Sequence, residues 1–464
     1  MKRTYTKILL PALAATLLFT GCAAREPEAP QTQTAAQAVT QASEETADAA
    51  TSYFDLDDST EDSAAENNPE PTTNAVTGVA KTQSAENGDF TDAFSDRDLS
   101  GDYDSADAVS IRLTGTGAEA SADTVRVSGA NVVITGAGTY LLSGTLKNGS
   151  VIVDADKEAK VQLVLNGAAI HAEAYAAIYV KQADKVFITL KEGTENTLSN
   201  GGTFTQQDEN NVDAVIFAKD DLTLNGTGTL TITSPAGHGI VGKDEVTITG
   251  GVYRITAAKC AIRANDSIAI ADGTLTLTAG TDGLHAENDE DDTLGNLYIA
   301  KGTFTINAYD DAVHANALLQ IDGGSFEITG AEGLEATYVK INDGEISVSA
   351  SDDGVNAAQK SSAYTPTVEI NGGSLTITMG PGDTDGVDAN GSLIITGGTV
   401  NVTGQSAFDI DGSISFTGGT VYVNGQQVSS IPTQTMGGGR GGRGNGGFGG
   451  GRGNGGFGGE IRHG

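Results

Sequence analysis

The sequence has few cysteines, no tryptophan and far fewer bases than acids. Its 464 residues include two cysteines, five histidines, and 26 lysines and arginines against 61 aspartates and glutamates, for a formal net charge of −35. Nucleic acid and anionic lipid are excluded as main ligands because like charges repel. Without tryptophan, the flat aromatic platform of many cellulose binders is not evident. Cations are the natural partners, unless the acids only keep an exported protein soluble.

The first 22 residues have the layout of a bacterial secretion signal. Three basic residues precede an apolar run over residues 8–19, which is too short to span a bilayer. The ending at Cys22 resembles a lipobox, so we predict acylation of Cys22 and an extracellular protein anchored to the membrane by that lipid; cleavage without a lipid is the alternative. Cys260 is then the only remaining cysteine, which excludes an intramolecular disulfide, and we interpret it as a small core residue.

Two segments lack the aliphatic content that a folded core requires. Residues 23–109 are rich in Ala, Thr, Gln, Ser, Glu and Asp, which predicts a disordered tether. Residues 431–464 form a flexible tail dominated by glycine and carrying arginines. Tails of this kind bind RNA inside cells, but an exported protein does not routinely meet RNA. We therefore expect an inert tail or contact with acidic glycan, and no nucleic-acid partner.

Residues 110–430 are built from a repeated unit, visible in GTFTINAYDDAVHANALLQI, DGGSFEITGAEGLEATYVKI and NDGEISVSASDDGVNAA. Each unit has three short segments in which apolar and polar residues alternate with period two, and the spacing lies in the solenoid range of about 20 to 50 residues. Strands this short pair most simply with the same segment one turn on, so we predict an all-β, single-stranded parallel β-helix. A β-sandwich of hairpins is the alternative. Segments 287–292 and 359–366 are predicted to loop outward.

The second segment of each unit concentrates polar side chains. An aliphatic residue and an alanine alternate inward there, so the residue between them points outward and stacks turn by turn. This predicted column consists of His285, His314, Glu335, Asn356, Asp388 and Asp409. With the acids that open these segments and their neighbours, the predicted metal ligands are Asp282, His285, Glu287, Asp310, Asp311, Asn316, Glu332, Glu335, Asp352, Asp353, Asn356, Asp385, Asp388, Asn390, Asp409 and Asp411.

The stacked carboxylates require a counter-charge. Strands in such a coil lie about 4.8 Å apart, where facing carboxylates resist joint ionisation. Lysine and arginine are nearly absent from these segments after Arg263, whereas side-chain oxygens are the ligands that Ca²⁺ collects, so we predict Ca²⁺ as the cofactor. Turn chemistry is the alternative for single positions such as Asp352 and Asp385. Zinc at His285 and His314 lacks a third histidine and a nearby cysteine.

The repeated motif resembles that of a known family. TDGLHAEN, DDAVHAN, SDDGVNA and DTDGVDANG each follow a GGTLTI-like segment, and residues 110–430 thereby resemble the secreted, calcium-binding, carbohydrate-binding β-helix proteins known from clostridia. The resemblance implies a right-handed parallel β-helix, similar in fold to pectate lyases. It also implies several bound Ca²⁺ ions held by the acids of the motif, and affinity for polygalacturonate and, as a further ligand, cellulose. The tether and the tail lie outside it.

The predicted function is calcium-dependent binding of acidic polysaccharide at the cell surface by a monomer, without catalysis. Ca²⁺ held partly by acidic side chains can bridge to a sugar carboxylate and turn a repulsive encounter into an attractive one. A pectate lyase is the enzymatic alternative, but it needs an arginine or lysine base beside the calcium row, and none shares these segments from residue 282 onward. A surface adhesin or scaffold stiffened by Ca²⁺ is the third interpretation.

Overall fold

The computed structural model describes residues 90–382 and 384–432. The predicted signal segment with Cys22, residues 23–89 of the predicted tether and residues 433–464 of the predicted tail lie outside the described residues.

The described residues contain one short helix, α1 (Asp96–Leu99), and a 36-stranded sheet. The first strands are β1 (Val109–Gly115), β2 (Ala118–Ala120), β3 (Val125–Ser128), β4 (Asn131–Ile134), β5 (Gly138–Leu146), β6 (Val151–Asp154), β7 (Lys160–Ala172), β8 (Ile178–Gln182), β9 (Lys185–Leu190), β10 (Glu195–Asn200), β11 (Ala214–Ala218) and β12 (Asp221–Gly226). They are followed by β13 (Thr229–Ser234), β14 (His238–Gly242), β15 (Glu245–Ile248), β16 (Val252–Ala257), β17 (Ile262–Ala264), β18 (Ser267–Ile270), β19 (Thr274–Ala279), β20 (Leu284–Ala286), β21 (Asn296–Ile299), β22 (Thr303–Ala308), β23 (Val313–Ile321) and β24 (Ser325–Gly330). The last are β25 (Leu334–Ile341), β26 (Glu345–Ala350), β27 (Asp353–Ala357), β28 (Thr367–Ile370), β29 (Ser374–Met379), β30 (Asp385–Ala389), β31 (Ser392–Ile395), β32 (Thr399–Thr403), β33 (Ser406–Ile410), β34 (Ile414–Phe416), β35 (Thr420–Val423) and β36 (Gln426–Val428).

All strands except β2, β3 and β36, which pair antiparallel with a neighbour, form three parallel ladders, in each of which a segment pairs with the same segment of the next unit. The first ladder is β1, β5, β7, β10, β13, β16, β19, β22, β24, β26, β29, β32 and β35. The second is β4, β6, β8, β11, β14, β17, β20, β23, β25, β27, β30 and β33. The third is β7, β9, β12, β15, β18, β21, β23, β25, β28, β31 and β34. The predicted all-β class and unit-by-unit parallel pairing are confirmed.

The apolar residues of the repeat supply the core. In β22 exposed and buried residues alternate, and Phe304, Ile306 and Ala308 are on the buried side. The rings of Phe304 and Phe326, in consecutive units, stack with centroids 4.5 Å apart and an interplanar angle of 5°. Each buried Leu, Ile or Phe contributes about 1.5–3 kcal/mol relative to an exposed one. This regular stacking keeps equivalent residues of successive units aligned. It therefore fixes the register of the polar residues on the second ladder.

Residues 90–109, which composition places in the tether, include a segment that packs on the sheet. Ser95 and Asp98 form a capping box on α1, and Asp98 is buried. Its Oδ1 accepts a hydrogen bond from the hydroxyl of Thr223 at 2.6 Å and lies 2.8 Å from Nζ of Lys185. Burial opposes ionisation, but hydrogen bonds from Lys185, Ser95 and Thr223 together lower the pKa of Asp98. Asp98 is one of several contacts that anchor this segment, with the stacking of Phe90 on Tyr298 and the hydrogen bond from Arg97 to Gln162, and composition averaged over the tether does not detect them.

The two acidic or polar insertions lie in connections between strands, as predicted. Residues 287–292 fall between β20 and β21, and residues 359–366 between β27 and β28. The hydroxyl of Ser362 donates to Oδ1 of Asp292 at 2.9 Å, so the two connections contact each other. In the part of the chain that the structure describes, no helix is long and apolar enough to cross a membrane.

Candidate metal centre

Two columns of polar side chains follow the second ladder. In the central column, each residue pairs with the equivalent residue of the next unit. The column consists of Arg263, His285, His314, Glu335, Asn356, Asp388 and Asp409. The opening column lies at the start of the same segments and consists of His238, Cys260, Asp282, Asp311, Glu332, Asp353 and Asp385. The register therefore confirms the alignment predicted from the sequence.

The central column is less exposed than predicted. His285, His314, Glu335 and Asn356 are each 9% exposed or less. They pair with their neighbours, and Lys360 lies over Glu335, so most of this column is withdrawn from solvent. Charges placed there require partners because solvent cannot screen them.

Hydrogen bonds between consecutive units hold part of the opening column. Oδ1 of Asp353 accepts a hydrogen bond from the backbone N–H of Asp385 at 3.2 Å, and Oδ1 of Asp282 accepts one from the N–H of Asp311 at 3.2 Å. The glycine that follows is required by space, since a Cβ at Gly354 would lie 2.5 Å from a carbonyl oxygen of the next unit. These bonds fix the carboxylates in place and use one oxygen of each acid.

The middle of the two columns is neutralised by the protein itself. Nδ1 of His314 lies 2.8 Å from Oδ2 of Asp311 and 2.7 Å from Oε2 of Glu335, and Nζ of Lys360 lies 2.8 Å from Oε1 of Glu335. Burial opposes protonation of His314, but these two carboxylates raise its pKa to about 10, so the imidazole is charged at neutral pH. In the metal-free protein, His314 and Lys360, which lies on the 359–366 connection, supply counter-charge to Asp311 and Glu335, and metal binding by these two acids stays a prediction.

The C-terminal part of the columns has a different charge balance. We name Glu332, Asp353, Asn356, Asp385 and Asp388 the acidic cluster. Nδ2 of Asn356 donates to Oε2 of Glu332 at 3.0 Å and to Oε1 of Glu335 at 3.3 Å, which turns its Oδ1 away from both.

The buried oxygen of Asn356 and the charges around it need a partner. Among the described residues, Oδ1 of Asn356 has no hydrogen-bond partner. Within residues 90–382 and 384–432, no lysine, arginine or histidine forms an ion pair with Asp353, Asp385 or Asp388. Burial, followed by the charge of Asp388, raises the pKa of Asp353 to about 7. Burial, followed by the charge of Asp385, raises the pKa of Asp388 to about 6.

We expect the metal-free protein to lose stability through the acidic cluster as the pH rises. The folded pKa values of Asp353, about 7, and Asp388, about 6, lie above the ordinary value of 3.8. Their contribution is therefore fully present below pH 3.8 and is lost as the pH rises through about 6 and 7, by at most about 1.4 kcal/mol per pH unit for each group. Urea unfolding in chelator, repeated between pH 3.8 and a pH above about 7, measures this loss of stability. Asp353→Asn should flatten the decline, and an equally steep decline in that variant contradicts the assignment.

The N-terminal end of the columns contains softer donor atoms. Sγ of Cys260 lies 3.4 Å from Oδ2 of Asp282 and 3.2 Å from the hydroxyl of Thr281. Nδ1 of His285 lies 3.0 Å from the same Oδ2 of Asp282. Cys260 is buried, as predicted, but its thiol faces this polar group, and the expectation that no cysteine lies near His285 is wrong. The alignment of Cys260 with Asp282 in the repeat was the signal in the sequence.

The remaining predicted ligands lie around these groups. Glu287 Oε2 lies 2.9 Å from Nε2 of His285, and Oδ1 of the buried Asn316 lies 3.4 Å from Nε2 of His314. Asp409 is half-buried in the central column. Four predicted ligands are exposed at the margins of the columns: Asp310, Asp352, Asn390 and Asp411.

Comparison with known proteins gives a consistent family. A family model described as carbohydrate-binding domain-containing protein matches residues 128–384 and residues 332–430. A carbohydrate-binding domain-containing protein of Acetivibrio thermocellus is 37% identical over 137 residues, which are 29% of this chain and 48% of that protein. The chain thus spans about half the length of the curated relative it matches. A solved polysaccharide lyase-like protein from C. thermocellum, a gadolinium derivative, aligns with a TM-score of 0.48 and 32% identity over 52% of this chain and 96% of that chain.

Proposed function

The chain belongs to the family of carbohydrate-binding domain-containing proteins, and we propose that it binds acidic polysaccharide through Ca²⁺ held by the acidic cluster. The observation that carries this proposal is the buried Oδ1 of Asn356, which has no hydrogen-bond partner among the described residues and belongs to the same paired strands as Asp353, Asp385 and Asp388, for which those residues supply no ion-pairing base. We further propose that the three ladders close into a right-handed parallel β-helix. Secretion and anchoring through Cys22 complete the proposal.

The donor set of the acidic cluster suits a hard cation. Ca²⁺ takes six to eight oxygen ligands, and the carboxylates of Glu332, Asp353, Asp385 and Asp388 with the amide oxygen of Asn356 are oxygen donors throughout. Burial, together with the charge of neighbouring carboxylates, raises the pKa of three of these groups, Glu332, Asp353 and Asp388, so a bound cation would relieve an existing repulsion. Five side chains leave coordination positions for a further oxygen ligand.

The bound ion supplies positive charge on an otherwise acidic surface. A uronate carboxylate can then occupy the remaining coordination positions, which explains how a chain with a net charge of −35 attracts an acidic polymer. The residues of this chain orient the ion: Asp385 N–H holds Asp353, and Asn356 is held by Glu332 and Glu335. Polygalacturonate is the proposed ligand, and cellulose is a further one.

The lysine beside Glu335 favours binding over lyase chemistry. Nζ of Lys360 lies 2.8 Å from Glu335. Burial opposes its protonation, but the hydrogen bond to Glu335 raises the pKa of Lys360, so its amine keeps its proton. A protonated amine cannot abstract the α-proton of a uronate, as a lyase base must.

A glycan array probed with the full chain in Ca²⁺ and in chelator tests the proposed function. We expect retention on polygalacturonate in Ca²⁺, loss of retention in chelator, and weak retention on fully methyl-esterified polygalacturonate, which has the same backbone without the charges. Incubation with polygalacturonate and Ca²⁺ should give no unsaturated product absorbance. Binding that persists unchanged in chelator contradicts the Ca²⁺ bridge, and the appearance of unsaturated product would favour the lyase.

A further inference from the structure

The N-terminal end of the columns contains a second and chemically different group of ligand atoms. We name Cys260, Asp282 and His285 the Cys–His cluster. One atom from each of the three, namely the Cys260 sulfur, a His285 ring nitrogen and an Asp282 carboxylate oxygen, lies within 4.8 Å of the other two, and all three residues are buried. From this arrangement we propose that the Cys–His cluster is a binding site for a borderline-soft divalent transition metal of the Zn²⁺ class, separate from the Ca²⁺ site.

The orientation of His285 is the first argument for this site. Its Nε2 lies 2.9 Å from Oε2 of Glu287, and because a carboxylate only accepts, this nitrogen donates to Glu287. Nδ1 lies 3.0 Å from Oδ2 of Asp282 but has no hydrogen-bond partner among the described residues. Metal-ligating histidines have this arrangement, with the second ring nitrogen donating to a carboxylate. A metal ion bound at Nδ1 would take the place of a proton between this nitrogen and Oδ2 of Asp282.

The donor set is the second argument, and it selects the metal. Sulfur, imidazole nitrogen and one carboxylate oxygen are ligands of Zn²⁺, whereas Ca²⁺ takes oxygen ligands. Tetrahedral Zn²⁺ has bonds of about 2.0–2.3 Å, so its ligand atoms lie within the mutual distances found here. Three protein ligands leave the fourth position to water. His238 is not a ligand, because its Nδ1 accepts the backbone N–H of Cys260 and so fixes that residue.

The thiol must lose its proton when the metal binds. Burial, with the charge of Asp282, raises the pKa of Cys260 to about 11, so the metal-free cluster holds a neutral thiol. Binding forms a metal–sulfur bond and releases that proton to solvent. Affinity for the metal should therefore increase with pH.

Titration of the full chain with Co²⁺, followed by competition with Zn²⁺, tests the site. We expect one Co²⁺ per chain with a thiolate-to-metal charge-transfer band in the near ultraviolet, displaced by Zn²⁺ and not by excess Ca²⁺. Cys260→Ser and His285→Gln should abolish the band. Cys22→Ser, which removes the other cysteine, should retain it. Glu287→Gln should weaken binding about 10- to 100-fold.

Two outcomes overturn the proposal. One is the absence of a charge-transfer band in the wild-type chain, and the other is a band that persists in Cys260→Ser. Circular dichroism establishes that each variant is folded. Because Cys260→Ser places a hydroxyl in a buried position, this variant can be destabilised, and a second readout that does not depend on it is needed. This readout is the rise in melting temperature on addition of Zn²⁺. The rise should be present in wild type and in Cys22→Ser and absent in His285→Gln.

Discussion

His314→Gln should destabilise the metal-free protein by about 3–5 kcal/mol at neutral pH. The substitution removes a buried imidazolium that lies 2.8 Å from Asp311 and 2.7 Å from Glu335. Breaking a buried ion pair by removal of one partner has a cost of this size, since the other charge stays buried without compensation. The folded pKa of His314, about 10, is above its ordinary 6.5, so its contribution is full below pH 6.5 and is lost as the pH rises through about 10.

His171→Gln is the matched control for this prediction. The side chain of His171 is 37% exposed and contacts Ser199 and Glu173 at the surface. Its replacement should change the free energy of unfolding by about 0.5 kcal/mol or less. Urea unfolding in chelator compares the two variants. If both lose the same small amount, the His314 ion pairs do not stabilise the fold.

A double variant separates lost charge from lost packing. His314→Gln combined with Glu335→Gln removes a buried carboxylate along with the imidazolium, and replacement of a whole buried pair by neutral groups is often close to neutral in stability. The double variant should therefore recover part of the stability lost in His314→Gln. A further loss of similar size would mean that side-chain shape, and not charge, accounts for the first effect.

The register of the columns could be predicted from the sequence because it depends on local pattern. Alternation with period two fixes which residues face the core, and repetition fixes which residues of consecutive units meet. His285, His314, Glu335 and Asn356 are paired as the alignment predicts. No feature of that pattern depends on where connections between units fold back.

The charge balance of the columns could not be predicted, because it depends on such connections and on exceptions to the repeat. Lys360 lies outside the repeated segments and reaches Glu335 only through the path of the 359–366 connection. Cys260 occupies an acid position of the repeat, and its lone occurrence favoured the core interpretation. The segment around Asp98 is a similar case, since contacts of individual residues, such as that of Asp98 with Lys185, hold a segment whose composition predicts disorder.

Asp353→Asn combined with Asp388→Asn should have opposite effects on stability without and with Ca²⁺. In chelator at neutral pH the variant should be more stable than wild type, because it removes two partly buried charges that repel each other and their neighbours. In Ca²⁺ at 100 times its dissociation constant, wild type should gain about 2.7 kcal/mol and the variant almost nothing. Retention on polygalacturonate in Ca²⁺ should fall at least about tenfold in the variant, since a loss of 1.4 kcal/mol already has that effect.

The effect of the double variant on stability changes sign between chelator and Ca²⁺, and this change distinguishes a cation site from exposed acidic residues that bind no ion. Asp123→Asn with Asp343→Asn makes the same change of net charge at two exposed aspartates outside the predicted ligands, and this control should keep both the gain in Ca²⁺ and the binding of polygalacturonate. Urea unfolding with and without Ca²⁺, followed by the glycan assay, measures all three proteins. A Ca²⁺ gain that is equal in the variant and the control removes the acidic cluster as the site. In another outcome, the Ca²⁺-dependent gain in stability is lost only in the variant, and none of the three proteins binds polygalacturonate. This result favours the scaffold, because the ion then stabilises the fold at the acidic cluster without coordinating a sugar carboxylate.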